Sequence, residues 1–320
     1  MKKSLLALAV MTAAGSAQAG IELYSENDVT VTMGGDIEVV YVQGKGEHDE
    51  LQQQIQDSDL SFDVRYAVNE SLQFGAFWEF QDRGVNEGDA YVAAYTDGHS
   101  FKVGSLCTAL DDAGIGSDYQ FGLTSFFSNA DVYCGEQVMR YDLDSGAVYA
   151  TLAARQFSDS DDRNTDASYF DGSIGYRGLE NFDFTAFLGK TSDTDKGGVL
   201  HDETLWSVQA RFNGVENLGL AVAYYSMDDD SQTTDTIGFA ATYDLEVVAL
   251  AAGVSVSDSD AAGSEDLTAW YVNAGYPLAP NTTAYVEVGA DDGYTNYGTD
   301  AAPVYKENGT GFAFGVKASF

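Results

Sequence analysis

The residue types that do chemistry are few here, and one of them dominates. Asp and Glu number 51 against 15 Lys and Arg, with three His and two Cys. A nucleophilic enzyme needs a nucleophile, a base and a group that orients the base. His48, His99 and His201 are scattered through polar turn-like stretches, so no such set assembles and no catalytic residue is expected. There is no phosphate-binding loop, dinucleotide fingerprint or zinc spacing, so neither a cofactor nor a resident metal is expected. What remains is carboxylate chemistry. Asp111, Asp112 and Asp118 crowd the stretch 106–135, which also contains Cys107 and Cys134. Carboxylates without a catalytic partner act through their field and through the cations they attract.

The formal net charge of -36 excludes nucleic acid as a partner, because no basic patch survives in that field. It equally disfavours docking on anionic head groups. With 44% hydrophobic residues the chain is too apolar to be a disordered acidic polymer.

The elements that position the carboxylates begin after an address. Met1-Lys2-Lys3, the apolar run Leu5 to Ala14 and Ala17-Gln18-Ala19 read as a secretory signal peptide over 1–19, with a second unit over 20–320. Removing Lys2 and Lys3 from the 15 basic residues, against 51 acidic ones, takes the net charge from -36 to -38. No later stretch is long and apolar enough for a membrane-spanning helix. The remaining permitted route through a bilayer is a closed β-barrel.

Nearly all of 20–320 alternates with period two. Phe312, Phe314, Val316, Ala318 and Phe320 share one face against Ala313, Gly315, Lys317 and Ser319. Leu60, Phe62, Val64 and Tyr66 oppose Asp59, Ser61, Asp63 and Arg65, and Leu72, Phe74, Ala76, Trp78 and Phe80 oppose Gln73, Gly75 and Glu79. Such segments are strands with one apolar and one polar wall, so the fold class is all-β. Seven short turns alternate with eight longer polar loops, near 44–58, 82–88, 106–135, 158–165, 191–202, 227–234, 257–265 and 292–309, which sets sixteen strands.

A soluble sandwich would alternate too, with the apolar face inward. Three features favour a transmembrane barrel. The hairpins recur without interruption. The polar face carries Asp, Glu, Arg, Thr and Gly, which suits a wet lumen. Aromatics such as Tyr41, Tyr66, Trp78, Trp206, Tyr243, Trp270 and Tyr276 gather toward strand ends as an interfacial girdle would.

The segment Gly311 to Phe320, ending in a Phe on an aromatic face, resembles the closing strand of outer-membrane barrels. The start Gly20-Ile21-Glu22-Leu23-Tyr24 followed by Val29–Tyr41 resembles the opening of Gram-negative general porins, and Ser71–Phe80 is similar to their third strand. Thr108–Gly122 resembles the third loop of their vibrio-type branch. The resemblance implies a 16-stranded antiparallel transmembrane β-barrel with the third loop folded into the pore. It implies a homotrimer in outer-membrane lipid and lipopolysaccharide, passing small hydrophilic solutes and cations. Val316, Ala318 and Phe320 then form the signal read by the barrel-assembly machinery. Tyr119-Gln120-Phe121-Gly122-Leu123 stands where the enterobacterial branch has Pro-Glu-Phe-Gly-Gly, so that branch's loop glutamate is missing. Ser61, Asp89 and the Tyr133–Cys134 region fall where its arginines would be expected.

On this layout Asp111, Asp112 and Asp118 are the expected acidic lining, joined by Glu79 and Asp63. Arg65, Lys102 and Arg140 are expected opposite them, giving a transverse field and a preference for cations. A substrate-specific oligosaccharide channel is the alternative; it would stack an aromatic track, whereas Phe77, Tyr149, Phe187, Tyr225, Tyr271 and Tyr285 are dispersed. Acid-rich loops at 158–162 and Asp228–Asp230 lack a calcium-loop pattern, so only weak divalent bridging to lipopolysaccharide is expected. Cys107 and Cys134 bracket the third loop. An oxidising compartment favours a disulfide, which constrains the unfolded chain by about 3 kcal/mol in the entropy model. Two buried thiols or part of a metal site are the alternatives.

Overall fold

The structure, a computed structural model, describes residues 20–81, 86–123, 133–157, 168–194, 200–229, 232–261, 263–297 and 304–320. The stretch 1–19, the acidic run 158–162 and Asp230 lie outside the described residues. Strands β1 (Ile21–Glu26), β2 (Val29–Gln43), β3 (Gln52–Asn69), β4 (Leu72–Gln81), β5 (Asn86–Thr96) and β6 (His99–Cys107) open the fold. After a long connection come β7 (Cys134–Asp144), β8 (Val148–Gln156), β9 (Ser168–Tyr176), β10 (Phe182–Thr194) and β11 (Leu200–Val215). Then follow β12 (Leu218–Asp228), β13 (Thr233–Asp244), β14 (Ala249–Ser259), β15 (Leu267–Ala279) and β16 (Thr282–Asp291). A small hairpin, β17 (Tyr294–Asn296) and β18 (Tyr305–Glu307), precedes β19 (Thr310–Ser319).

Every neighbouring pair in the wall is antiparallel, and β19 pairs with both β16 and β2, which closes a 16-stranded barrel. The first strand completes the last one. Asn27 and Asp28 take positive φ (53° and 62°), the geometry of a two-residue primed turn, and fold β1 back onto Val29–Met33. β19 takes the remaining edge of β2, over Asp36–Gln43. Phe320 meets Gly35 between them, donating its N–H to the Gly35 carbonyl at 2.9 Å and accepting the Gly35 N–H at 3.0 Å. Asn181, Asn217 and Asn281 supply the positive φ of other short turns.

The alternation is inverted relative to a soluble protein. On β16, Tyr285 and Glu287 are 3% and 1% exposed while Val286 and Val288 are 55% and 41% exposed. The polar face therefore looks inward and the apolar face outward. Aromatics pack against each other on that outer face, as in Tyr41 on Phe314 at 5.1 Å and Trp206 on Tyr224 at 5.3 Å. Val316 and Ala318 lie on the outward phase of β19, with Val316 40% exposed, and Phe320 follows the strand's last residue.

Several strands outrun the expected loops. β3 starts at Gln52, so the connection expected over 44–58 is only 44–51. The glutamine-rich start of β3 has no apolar alternation, and only its pairing with Val39–Val42 makes it a strand. Likewise β10 and β11 pair out to Thr194 and Leu200, inside the stretch expected to be a loop. The hairpin of β17 and β18 within 292–309 carried no sequence signal.

Placing Arg at Val286, in the outward face, should lower unfolding stability in lipid by about 2–4 kcal/mol if that position lies near the bilayer midplane. Ser173→Lys on the inward face should have a far smaller effect. Urea titration of barrels in vesicles reads both, and equal effects would contradict the inversion.

Candidate functional site

The polar inner faces of the strands hold Asp63, Arg65, Glu79, Lys102 and Arg140, which sequence reasoning singled out. Asp63 and Arg65 sit on β3 and bond to each other, with Arg65 Nη2 donating to Asp63 Oδ2 at 2.8 Å. The Arg65 guanidinium lies over the Tyr95 ring at 4.0 Å. Lys102 on β6 and Arg140 on β7 are register partners, and both reach Asp142, at 3.2 Å from Lys102 Nζ and 2.8 Å from Arg140 Nε. Arg140 also donates to the carbonyls of Cys107 and Thr108 and, at 2.6 Å, to Asp112. Glu79 on β4 accepts from Gln81 Nε2 at 3.2 Å and from the Asp89 N–H on β5 at 3.4 Å. Bases and acids thus meet as ion pairs along β3–β7, and Asp112 touches Arg140 instead of facing it from an opposite wall. Asp142, the shared partner of two cations, carried no sequence signal.

Cys107 and Cys134, the last register pair of β6 and β7, are joined in a disulfide with an S–S distance of 1.99 Å. Asp111 lies beside them, its Oδ1 at 3.7 Å from Cys134 Sγ. Sulfurs bonded to each other are not thiolates, so this trio offers no metal site.

Beyond Cys107 a 3-10 turn covers Ala109–Ala113. A helical start leaves backbone N–H groups without partners, and the Thr108 side chain does not cap this one. The carboxylate of Asp171 on β9 does so instead. It accepts from the Thr108 hydroxyl at 2.6 Å, the Ala109 N–H at 3.1 Å and the Leu110 N–H at 2.9 Å. Gln209 on β11 and Tyr225 on β12 donate to the Ala113 carbonyl at 2.5 and 3.0 Å. Arg211 donates to the Gly114 carbonyl at 2.8 Å. On β15, Tyr271 accepts the Ser117 N–H at 2.7 Å.

A second carboxylate holds the far end. Glu287 accepts the N–H groups of Tyr119, Gln120 and Phe121 at 2.6, 2.8 and 2.7 Å, and Asn273 Nδ2 at 2.9 Å. A buried carboxylate is tolerated only when donors replace the lost water, and four do so here. The Gln120 amide donates to Glu38 at 3.0 Å, Tyr285 donates to the same oxygen, and the Tyr119 ring stacks on Tyr285 at 3.9 Å. Apolar packing supports these bonds. Leu110, Ala113 and Ile115 join Phe187, Leu205 and Tyr225 in one buried cluster. Phe121 lies against Gly289 and Gly311, where a Cβ at Gly289 would stand 2.5 Å from Phe121 Cβ.

Asp111, Asp112 and Asp118 remain open to solvent on this segment. Asp111 and Asp118 are nonetheless ringed by protein, and that partial desolvation raises their carboxyl pKa values above the ordinary range. The charge of Asp112 adds to the effect at Asp111, and that of Glu287 at Asp118. Asp171, Glu287, Glu38, Gln209 and Asn273 were not singled out by sequence reasoning. Their only signal was a polar phase in a strand, because the groups they hold are as far as 168 residues away in the chain.

Comparison with known proteins follows the same layout. Residues 5–296 match the model of the family described as Gram-negative porin. The chain is 31% identical over 315 residues to porin-like protein H of Photobacterium profundum, covering 91% of this chain and 95% of that one. Among solved structures it is similar to the loop-L8 deletion mutant of OmpT from Vibrio cholerae, with TM-score 0.76, 19% identity and coverage of 92% and 100%. The in-vitro folded trimer form of OmpT gives TM-score 0.73 at 18% identity, with coverage of 92% and 100%.

Glu287→Ala leaves three clustered N–H groups without their acceptor, at about 1–3 kcal/mol each when buried. Gly311→Leu should displace Phe121 by crowding. In both variants limited proteolysis between 108 and 123 should speed up and open-channel current should become noisier. Protection equal to the unaltered protein would show that these anchors hold nothing.

Proposed function

The chain belongs to the Gram-negative porin family of outer-membrane diffusion channels, and on that footing we propose a finer reading: a general diffusion porin, cation-selective, narrowed by the segment 106–135 folded into its lumen. Ions and small hydrophilic solutes cross it passively, and no catalytic step belongs to this reading.

The observation that carries the cation preference is the bonding of three inner bases on β3, β6 and β7. Arg65, Lys102 and Arg140 are each held by a carboxylate on the same wall, and Arg211 bonds to the Gly114 carbonyl, while Asp111 and Asp118 stay exposed. The pairs largely cancel, and the surplus is negative. A narrow, partly dehydrated passage strengthens Coulomb terms relative to bulk water, so the sign of that surplus governs which ion enters. Hydrogen bonds from 108–121 to β9, β11, β12, β15, β16 and β2 support a segment lying across the lumen.

The remaining partners follow from the same reading. Residues 1–19 direct secretion across the inner membrane, and Val316, Ala318 and Phe320 present the strand read by the assembly machinery. Three barrels associate, as the trimer form of OmpT does. Acidic loops bind lipopolysaccharide weakly through divalent cations. An oligosaccharide-specific channel is less favoured, since the inner rings form separate stacks such as Phe77 on Tyr91 at 5.2 Å and Tyr119 on Tyr285.

Reversal potentials across a KCl gradient in planar bilayers should show K⁺ preferred over Cl⁻; a preference for Cl⁻ would overturn the reading. The triple variant Asp111→Asn, Asp112→Asn, Asp118→Asn should lose a large part of that preference. The preference should also fall on acidification. Because Asp111 and Asp118 have raised pKa values, they take up protons before ordinary carboxylates with pKa about 4 do. The decline should therefore begin at higher pH in the unaltered protein than in the triple variant, as titrated reversal potentials would show.

A further inference from the structure

Next to the anchored residues 119–121 the inner wall changes character. The register of β2 and β3 slips between Glu38 and Val39, so Gln56 is the extra residue of a bulge. The slip brings Gln54 opposite Val40 and Gln52 opposite Val42, both of which lie on the inner phase of β2. Gln56 Nε2 donates to Gln54 Oε1 at 2.8 Å, so the amides form a short ladder. With Gln120, Phe121 and Val42 they line a cavity of about 540 Å³. At its rim Lys45 is bonded to Asp291, Asp49 accepts the Gly46 N–H at 2.8 Å and His48 lies 3.1 Å from Lys306 Nζ, while Glu50 adds one exposed carboxylate.

This wall differs chemically from the paired charges of β3–β7. A primary amide offers two donors and an acceptor, and a hydroxyl offers one donor and accepts as well. A ladder of amides therefore matches a row of hydroxyls, while it gives a bare ion little that water does not already give. The volume falls in the range of small-molecule sites, about 300–1,000 Å³. Phe121 adds an apolar surface for the hydrophobic face of a sugar ring.

We infer that this cavity is a binding subsite for neutral polyhydroxyl solutes, of the size of a short saccharide, beside the proposed constriction. The inference rests on the porin reading and deepens it: the channel stays general, but neutral saccharides pause here.

Single-channel recording in planar bilayers tests it, with maltotriose as the probe and a polyethylene glycol of similar mass as the size control. Maltotriose should produce brief, concentration-dependent interruptions of the current that the glycol does not. The triple variant Gln52→Leu, Gln54→Leu, Gln56→Leu should shorten the interruptions about tenfold, equivalent to about 1.4 kcal/mol of lost binding. Gln54→Glu, which keeps the side-chain shape, should shorten them less but measurably. Conductance in salt alone reports whether each variant has assembled; should the triple variant fail to, the unaltered channel and Gln54→Glu decide the matter. Interruptions of equal length in the variants, none with maltotriose, or the same with the glycol would overturn the subsite. A protein that conducts but is not interrupted loses only this inference, whereas one that passes no current loses the porin reading itself.

Discussion

Hydrocarbon offers no partner to a backbone N–H or C=O, and this single constraint organises the molecule. A sheet that crosses a membrane must have no free edge, so the last strand has to find the first. Here β19 is too short to cover β2 alone, and β1 folds back to cover the rest, with Phe320 and Gly35 paired at the junction. Closure then forces every strand to have one face outside and one inside. The outward face becomes apolar because it meets lipid, and the inward face is free to be polar.

That freedom explains where the energetically demanding groups sit. Asp171 and Glu287 are buried carboxylates, an expensive arrangement in an apolar core. On the inner wall they are matched by backbone N–H groups from a segment that cannot supply its own acceptors. Each satisfies the other. The wall gives the 3-10 turn its cap and gives residues 119–121 a common acceptor, while the segment gives the wall its donors. Apolar contacts at Leu110, Ile115 and Phe121 add non-directional burial to these directional bonds.

The charge distribution has two tiers. Three inner bases are absorbed locally: Arg65 by Asp63, Lys102 by Asp142, Arg140 by Asp142 and Asp112. Local pairing leaves the global excess of carboxylates uncompensated, and on the proposed reading that excess sets the sign of ion selectivity. The amides of β3 differ from both tiers, an uncharged row created by one slip of register, with charged residues only at the rim of the cavity they line.

Periodicity of side chains is a local property, so the all-β class, the sixteen strands of the closed wall, the inside-out placement of polar residues and the excess of acid were legible in the sequence. So was the bracketing of 106–135 by Cys107 and Cys134. Pairing between distant residues is not local. Nothing in the neighbourhood of Glu287 marks it as the acceptor for Tyr119, or of Asp171 as the cap for Leu110, and Asp112 carries no sign that it will bond to Arg140. A glutamine-rich stretch without alternation likewise gave no sign of becoming the start of β3. Only closure of the barrel brings such groups within hydrogen-bonding distance, because a bond of that length depends on position in space and the sequence specifies position only along the chain.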